Sequence, residues 1–263
     1  MNHSERAHAL LSASSSERWL SCPPSARLND AIPDEGSSFA AEGTQAHELG
    51  ERVLVSGRNA HEIEGDYSHA MRDFVQSYAD YVRDLGGALL VEQRIDLTPW
   101  VPEAFGTSDG VVFDDTTLHV LDLKYGKGVQ VFAERNTQLM LYALGAIYEH
   151  EMTNGPFARV TLHIVQPRLD HFDAWTISYD DLMEWGESIK PIAKLAFEGK
   201  GDFDVGDHCT FCKVRHTCRA RADAALRTVG DLAKGVELTN AELAAIYPKL
   251  DGVVRWANDL ESY

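Results

Sequence analysis

No run of apolar residues in this 263-residue chain approaches the ~20 that a membrane-spanning helix requires, and the N-terminal residues lack the unbroken apolar stretch of a signal peptide, so the expectation is a cytoplasmic protein with no membrane partner. Positive charge is scarce: 24 Lys and Arg stand against 41 Asp and Glu, a formal net charge of −17. This excludes a protein that grips phosphate through a general basic surface, because such binding is driven by lysine and arginine neutralising charge. A local patch is not excluded, and Lys213, Arg215, His216, Arg219, Arg221 and Arg227 form one candidate. On charge alone a solvated helix face explains that patch equally well. Internal repeats and low-complexity tracts are missing too. Cysteine is sparse, and its placement is uneven: Cys22 stands alone, while Cys209, Cys212 and Cys218 form C-x2-C-x5-C. Without a secretion signal, clustered cysteines read as soft-metal ligands more readily than as disulfides.

What is present suffices for one large domain, or for one domain with an appendage: 44% of residues are hydrophobic and 25% charged. Ser14 and Glu17 form a capping-box pattern ahead of a short helix that Pro23 and Pro24 stop, leaving Cys22 at the helix end. A polar loop over residues 30–38 and a helix start at Gly43–Glu51 follow. Apolar residues at 3–4 spacing, from Met71 to Leu85, predict a helix over 68–85. The period then changes, predicting strands at 88–97, 104–113, 118–124 and 160–166, with residues 114–117 as a hairpin turn. Residues 136–149 predict a helix apolar almost all round and therefore buried. A further strand is expected at 172–177, then a helix capped by Ser178 and running to about Phe197. Thr239 and Glu242 form a second capping box, at the start of a helical tail. Strands interleaved with helices imply an α/β fold with a mixed sheet. The expected divisions are an N-terminal segment (1–42), a core (43–200), a cysteine region (201–227) and a helical tail (228–263), the natural chain continuing beyond Tyr263.

The chemistry gathers between Phe105 and Tyr142. Asp109 lies near the end of one predicted strand, and Asp122 and Lys124 lie two apart on the next, so they point to one side while Leu121 and Leu123 enter the core on the other. Acids on a strand whose far face is buried are costly unless they share a cation and the lysine is paired. Mg²⁺ suits that demand, since one or two carboxylates and substrate phosphate typically hold it. Gln138 and Tyr142, four apart, share a helix face. A D-x-K triplet alone is more often a surface salt bridge. The ordered set of strand acid, hairpin, D-x-K and helical Q-x3-Y is much rarer.

That set, G-x-x-D (Gly106, Asp109), D-x-K (Asp122, Lys124) and Q-x3-Y (Gln138, Tyr142), resembles the motifs of the PD-(D/E)XK nuclease superfamily, specifically its RecB-like exonuclease branch. Gly43, His47 and Glu51 match the upstream helix of that branch, whose histidine joins the metal site. Cys22 with C-x2-C-x5-C is similar to the iron–sulfur arrangement of the CRISPR-associated and AddB-type members, and Ser12-Ala13-Ser14 and Cys22-Pro23 match its N-terminal part. The match spans about residues 12–219 and departs in one place, Asp122 standing where many relatives carry glutamate. The resemblance implies a restriction-endonuclease-like core, a mixed central β-sheet flanked by helices, with an iron–sulfur-stapled helical region. It further implies a metal-dependent DNA exonuclease in which His47, Asp109 and Asp122 hold Mg²⁺ or Mn²⁺, Lys124 serves the hydrolysis, and Gln138 and Tyr142 engage the strand. Cys22, Cys209, Cys212 and Cys218 are then ligands of a [4Fe–4S] cluster, with zinc as the alternative occupant. With 187 positions between Cys22 and Cys209, such a clasp constrains the unfolded chain by ~5 kcal/mol if disulfide loop entropy carries over. The layout is also similar to that of phage or prophage proteins, implying work in recombination or repair on a DNA free end, in the bacterial host cytoplasm, beside a single-strand-binding or annealing protein. An oligomer is compatible with this. A reading from another class is a non-catalytic DNA-end-binding or assembly module that keeps the nuclease fold.

Overall fold

A computed structural model describes residues 9–33, 38–232 and 237–263. In chain order a 3₁₀ turn at Ala13–Ser15 leads into helices α1 (Ser16–Ser21), α2 (Ser25–Asp30), α3 (Ser38–Ser56) and α4 (His69–Asp84). Strands β1 (Ala88–Asp96), β2 (Phe105–Asp114) and β3 (Thr117–Leu123) follow, then α5 (Thr137–Asn154), β4 (Arg159–Gln166), β5 (His171–Ser178) and α6 (Tyr179–Glu198). The chain ends in α7 (Arg219–Leu232) and α8 (Asn240–Glu261). Among the described helices none is long and apolar enough to cross a membrane. The chain divides into two compact units, Met1–Ser16 with Asp34–Pro191, and Glu17–Pro33 with Ile192–Tyr263. The later boundary falls at Pro191 inside α6, a residue that lacks a backbone donor for the helix.

The first unit is an α/β layer built on a five-stranded mixed sheet in the order β1-β2-β3-β4-β5. β1, β2 and β3 are antiparallel neighbours, β3 and β4 are parallel, and β5 returns antiparallel to β4. A parallel pair cannot be closed by a tight turn, and α5 is the crossover between β3 and β4. Tyr78 and Val82 of α4 pack on Val112, Leu121, Leu123 and Val165. Residues 118, 120 and 122 therefore face the other side, where α5 lies against β1, β2, β3 and β4. β3 is thus buried on both faces, Asp122 included, and not only on its leucine side as the D-x-K spacing predicts. Gly145 lets α5 approach β1, since a Cβ there would meet the Asp96 carbonyl oxygen at 2.8 Å. Nine successive residues of α5, Leu139 to Ile147, are buried, as its all-round apolar sequence requires.

The caps predicted at Ser178 and Thr239 form, and Ser68 and Asn136 act as caps as well: each of the four accepts from a backbone N–H in the first turn of its helix, α6, α8, α4 and α5 respectively. The Ser14–Glu17 box does not start its helix: Ser14 lies in the 3₁₀ turn, its hydroxyl bonded to that of Ser12, and α1 begins at Ser16. α3 begins at Ser38, so Gly43 is inside the helix instead of at its start. The loop expected over 30–38 holds the end of α2 and four residues, 34–37, outside the described set. A polar chain also links α4, β4 and β3: the Tyr81 hydroxyl is 2.9 Å from His163 Nδ1, and His163 Nε2 is 2.9 Å from His119 Nδ1. Burial, then the neighbouring His119, lowers the His163 pKa to about 4.

The second unit joins α1 and α2 to the chain from residue 192 onward. Within it α7 packs on α8, and the Asp259 carboxylate of α8 receives Arg215 Nε at 3.1 Å and Arg221 Nη1 at 2.6 Å.

Candidate functional site

Five elements of the first unit bring seven polar side chains together: His47 from α3, Glu92 from β1, Asp109 from β2, Asp122 and Lys124 at the end of β3, and Gln138 and Tyr142 from α5. His47 Nδ1 lies 3.0 Å from Asp109 Oδ1, and the Leu123 backbone N–H donates to Asp109 Oδ2 at 2.6 Å. One ligand atom each from His47, Glu92 and Asp109 lies within 4.8 Å of the others. Asp122, 4% exposed, accepts from Gln138 Nε2 at Oδ1, 2.6 Å away. Its Oδ2 is 2.8 Å from Lys124 Nζ, a buried ion pair. Lys124 Nζ also donates to Gln138 Oε1 at 3.0 Å. Gln138 thus clamps the acid and the lysine with one amide group. The Lys124 backbone N–H bonds the Val165 carbonyl at 2.9 Å, continuing the parallel ladder one residue past β3 and fixing the lysine's root.

The two motif residues Gly106 and Tyr142 are mated. A Cβ at position 106 would lie 2.5 Å from Tyr142 Cε1, so only glycine lets the ring lie against β2. Glu92 occupies a left-handed backbone conformation, φ 48°. That is costly for a non-glycine residue and is held by its surroundings. Its flanking pairs are Val91 with Gly110 and Gln93 with Ser108, so Glu92 stands opposite Asp109.

The charges are tightly interdependent. Burial works against a charged His47, but the hydrogen bond and charge of Asp109, with Asp122 and Glu92 behind it, raise its pKa to about 9. Burial raises Glu92 to about 7, helped by Asp109 and opposed by His47. Asp122 is also raised, chiefly by burial and against the pull of Lys124. Burial pulls Lys124 down, yet Asp122 and then Asp109 outweigh it and hold the ammonium above the ordinary lysine value. The Tyr142 phenol is pushed up by burial and by the charges of Asp122 and Asp109. A pocket that stabilises cations and penalises anions is one to which a divalent cation adds what is missing.

All the site residues expected in the first unit converge, and Glu92 joins them. Its sequence signal is slight, an acid in the middle of a Val- and Leu-rich strand. Glu51, matched to the upstream helix motif, is exposed on α3. Gln138 and Tyr142 turn into the site, with Tyr142 only 6% exposed. In the second unit Cys22, Cys209, Cys212 and Cys218 line one small cavity with Arg18, His208 and other residues. No three of the four sulfurs lie within 4.8 Å of one another. Burial raises the Cys22 thiol. Cys209 is lowered, since the His208 side chain and the Gly206 backbone outweigh its burial. The basic patch is partly internal: Arg221 is 6% exposed and tied with Arg215 to Asp259, and His216 Nδ1 lies 2.5 Å from the Asp259 carbonyl oxygen.

Fold and site together define an α/β protein whose mixed sheet carries a clustered histidine, three acids and a lysine at one place. The chain belongs to DUF2800, described as a family of proteins of unknown function, whose pattern matches residues 8–263. Among solved structures, one titled "Crystal structure of SSO0001" is similar at 14% identity over 79% of this chain and 84% of that one, with a TM-score of 0.38.

Proposed function

We propose that this chain is a metal-dependent DNA exonuclease of the PD-(D/E)XK superfamily, RecB-like branch, hydrolysing phosphodiester bonds in recombination or repair. The observation that carries the reading is the approach of His47, Glu92 and Asp109 to within 4.8 Å beside the buried Asp122–Lys124 pair. The donors fit a divalent cation: the His47 imidazole with the Glu92 and Asp109 carboxylates, and the buried Asp122 carboxylate beside them. Carboxylates suit Mg²⁺, and the imidazole admits Mn²⁺. When bound, such an ion supplies Lewis acidity to the scissile phosphate and acidifies water. The protein's own groups do the rest. His47, Glu92, Asp109 and Asp122 are the binding set. Lys124, kept charged and aimed by Asp122 and Gln138, stabilises the negative charge that builds on phosphoryl oxygen. Gln138 is a positioning residue, and Tyr142 fixes it from the Gly106 side.

The cysteines of the second unit belong in this proposal as a [4Fe–4S] site that joins its two chain segments. Four thiols line one cavity. Their spacing in sequence, one alone and three as C-x2-C-x5-C, favours a cluster over zinc, whose sites more often use two close pairs. The implied partners are a DNA end and a single-strand-binding or annealing protein.

The test is digestion of end-labelled single- and double-stranded DNA with Mg²⁺ or Mn²⁺, by anaerobically purified protein analysed for iron, sulfide and zinc. Wild type is expected to release nucleotides from an end, and Lys124→Ala to lose at least ~10²-fold. Equal digestion by both proteins sinks the catalytic assignment. Binding of DNA ends with no digestion by either leaves the non-catalytic module in its place. Two-to-one zinc over iron overturns the cluster.

A further inference from the structure

A second constellation lies elsewhere in the first unit. His61, in the 3₁₀ turn Ala60–Glu62, and His69 and Asp73, four apart on α4, bring one ligand atom each within 4.8 Å of the others. Asp73 holds both rings, Oδ1 at 2.8 Å from His61 Nε2 and Oδ2 at 3.1 Å from His69 Nδ1. The two imidazole centroids are 4.7 Å apart. All three side chains are exposed, so nothing in the core requires this meeting.

The loop that delivers His61 is fixed to α4 more firmly than a surface loop needs. The Asn59 side chain accepts from the His61 N–H at 3.0 Å, in a capping box with Glu62. Gln76 Oε1 accepts from the Ala60 N–H at 2.7 Å. Arg72, from between the two α4 ligands, donates to the carbonyls of Ala60 and Ile63, both at 2.6 Å, and of Gly65 at 3.0 Å. Ala60 is fully buried beneath. Asparagine, glutamine and arginine thus hold the backbone around His61 in place.

We propose that His61, His69 and Asp73 form a surface site for a zinc-class divalent cation, separate from the candidate active site. Two imidazoles and one carboxylate are borderline donors that select zinc and its transition-metal neighbours over Mg²⁺ or Ca²⁺. In a tetrahedron with bonds of ~2.0–2.1 Å, ligand atoms stand about 3.3 Å apart. The present separations of 2.8 and 3.1 Å are within a few tenths of that. Closing on a cation exchanges two imidazole–carboxylate hydrogen bonds for three metal bonds, with little backbone movement. Three protein ligands leave a fourth position open to water. The site ties the 57–68 segment to α4 through a bond that chelation can break.

The test uses the full-length chain and Zn²⁺ alone, counted by equilibrium dialysis, with Co²⁺ absorption reporting nitrogen and oxygen ligands as distinct from thiolate. His61→Ala/His69→Ala should bind one equivalent fewer than wild type. His47→Ala/Asp109→Ala, altered only in the candidate active site, should keep that equivalent. Asp73→Asn, isosteric and exposed, should bind it at least about tenfold more weakly, since loss of an outer-shell partner alone costs 10–100-fold. Equal zinc counts in wild type and the His61/His69 variant, or unchanged affinity in Asp73→Asn, overturn the proposal whatever the nuclease assay shows.

Discussion

Gly106→Ala is the smallest substitution that reaches the candidate site without touching a polar group. The added methyl carbon would lie 2.5 Å from Tyr142 Cε1, where ordinary contact begins at 3.4 Å, so ring or strand must give about 0.9 Å. Tyr142 is buried in α5, a helix packed on the sheet, so the retreat must displace close-packed neighbours. Overpacking of this kind costs about 1–3 kcal/mol, a fall in Tm of about 2–12 °C for a unit of this size. One turn before the ring stands Gln138, which holds both Asp122 and Lys124. A displacement near 1 Å at a positioned group is worth up to about 10²-fold in rate. Thermal melts and DNA digestion are to be measured on Gly106→Ala, Tyr142→Leu and the double variant. Because leucine has no atom where Cε1 was, Gly106→Ala should cost at least about 1 kcal/mol less in the Tyr142→Leu background. If the cost is the same in both backgrounds, or Gly106→Ala melts with wild type, the steric account of this motif glycine is wrong.

Three further outcomes are expected. His163, with a folded pKa of about 4, binds its proton later than in the unfolded chain; its contribution of about 3 kcal/mol is complete above pH ~6.5 and drains away as pH falls toward 4. His163→Phe should flatten the denaturant midpoint across that window, and an unchanged slope refutes the assignment. Asp259→Ala strands the nearly buried Arg221 guanidinium and should destabilise the second unit by roughly 3 kcal/mol, read as early loss of α7 and α8 amide protection in hydrogen exchange. Asn136→Ala removes the side chain that accepts from the Leu139 N–H and should cost about 1 kcal/mol, with Asn136→Ser recovering most of it; equal melts of the alanine and serine variants would count against the cap.

Elements whose signals are local were legible. The caps at Ser178 and Thr239, and the change from helical to strand period after Leu85, place helices and strands within a few residues of where they lie. The D-x-K and Q-x3-Y spacings put their residues on shared faces, and the folded chain joins those faces through Gln138. Glu92 was not legible, because its role depends on a left-handed backbone and on standing across from Asp109, both decided by sheet pairing. The burial of Asp122 on its own side was hidden too, since α5 begins at Thr137, 15 residues further on. The charged cluster at 213–227 shows the converse failure. Its arginines look solvated until Asp259, more than 30 residues downstream, turns Arg215 and Arg221 inward.

The division of the chain also sets an order of events during synthesis. Most of the first unit, Asp34–Pro191, lies in sequence between the two segments of the second. Cys22 leaves the ribosome 187 residues ahead of Cys209, an interval of about 10–40 s at ~5–20 residues per second. Through that interval the sheet and its crossover helix can assemble completely, while the first thiol waits with no partner yet made. Closure of the second unit therefore waits until its later segment, from Ile192 onward, has emerged, and the nascent first unit is the species exposed to proteases and chaperones in the meantime.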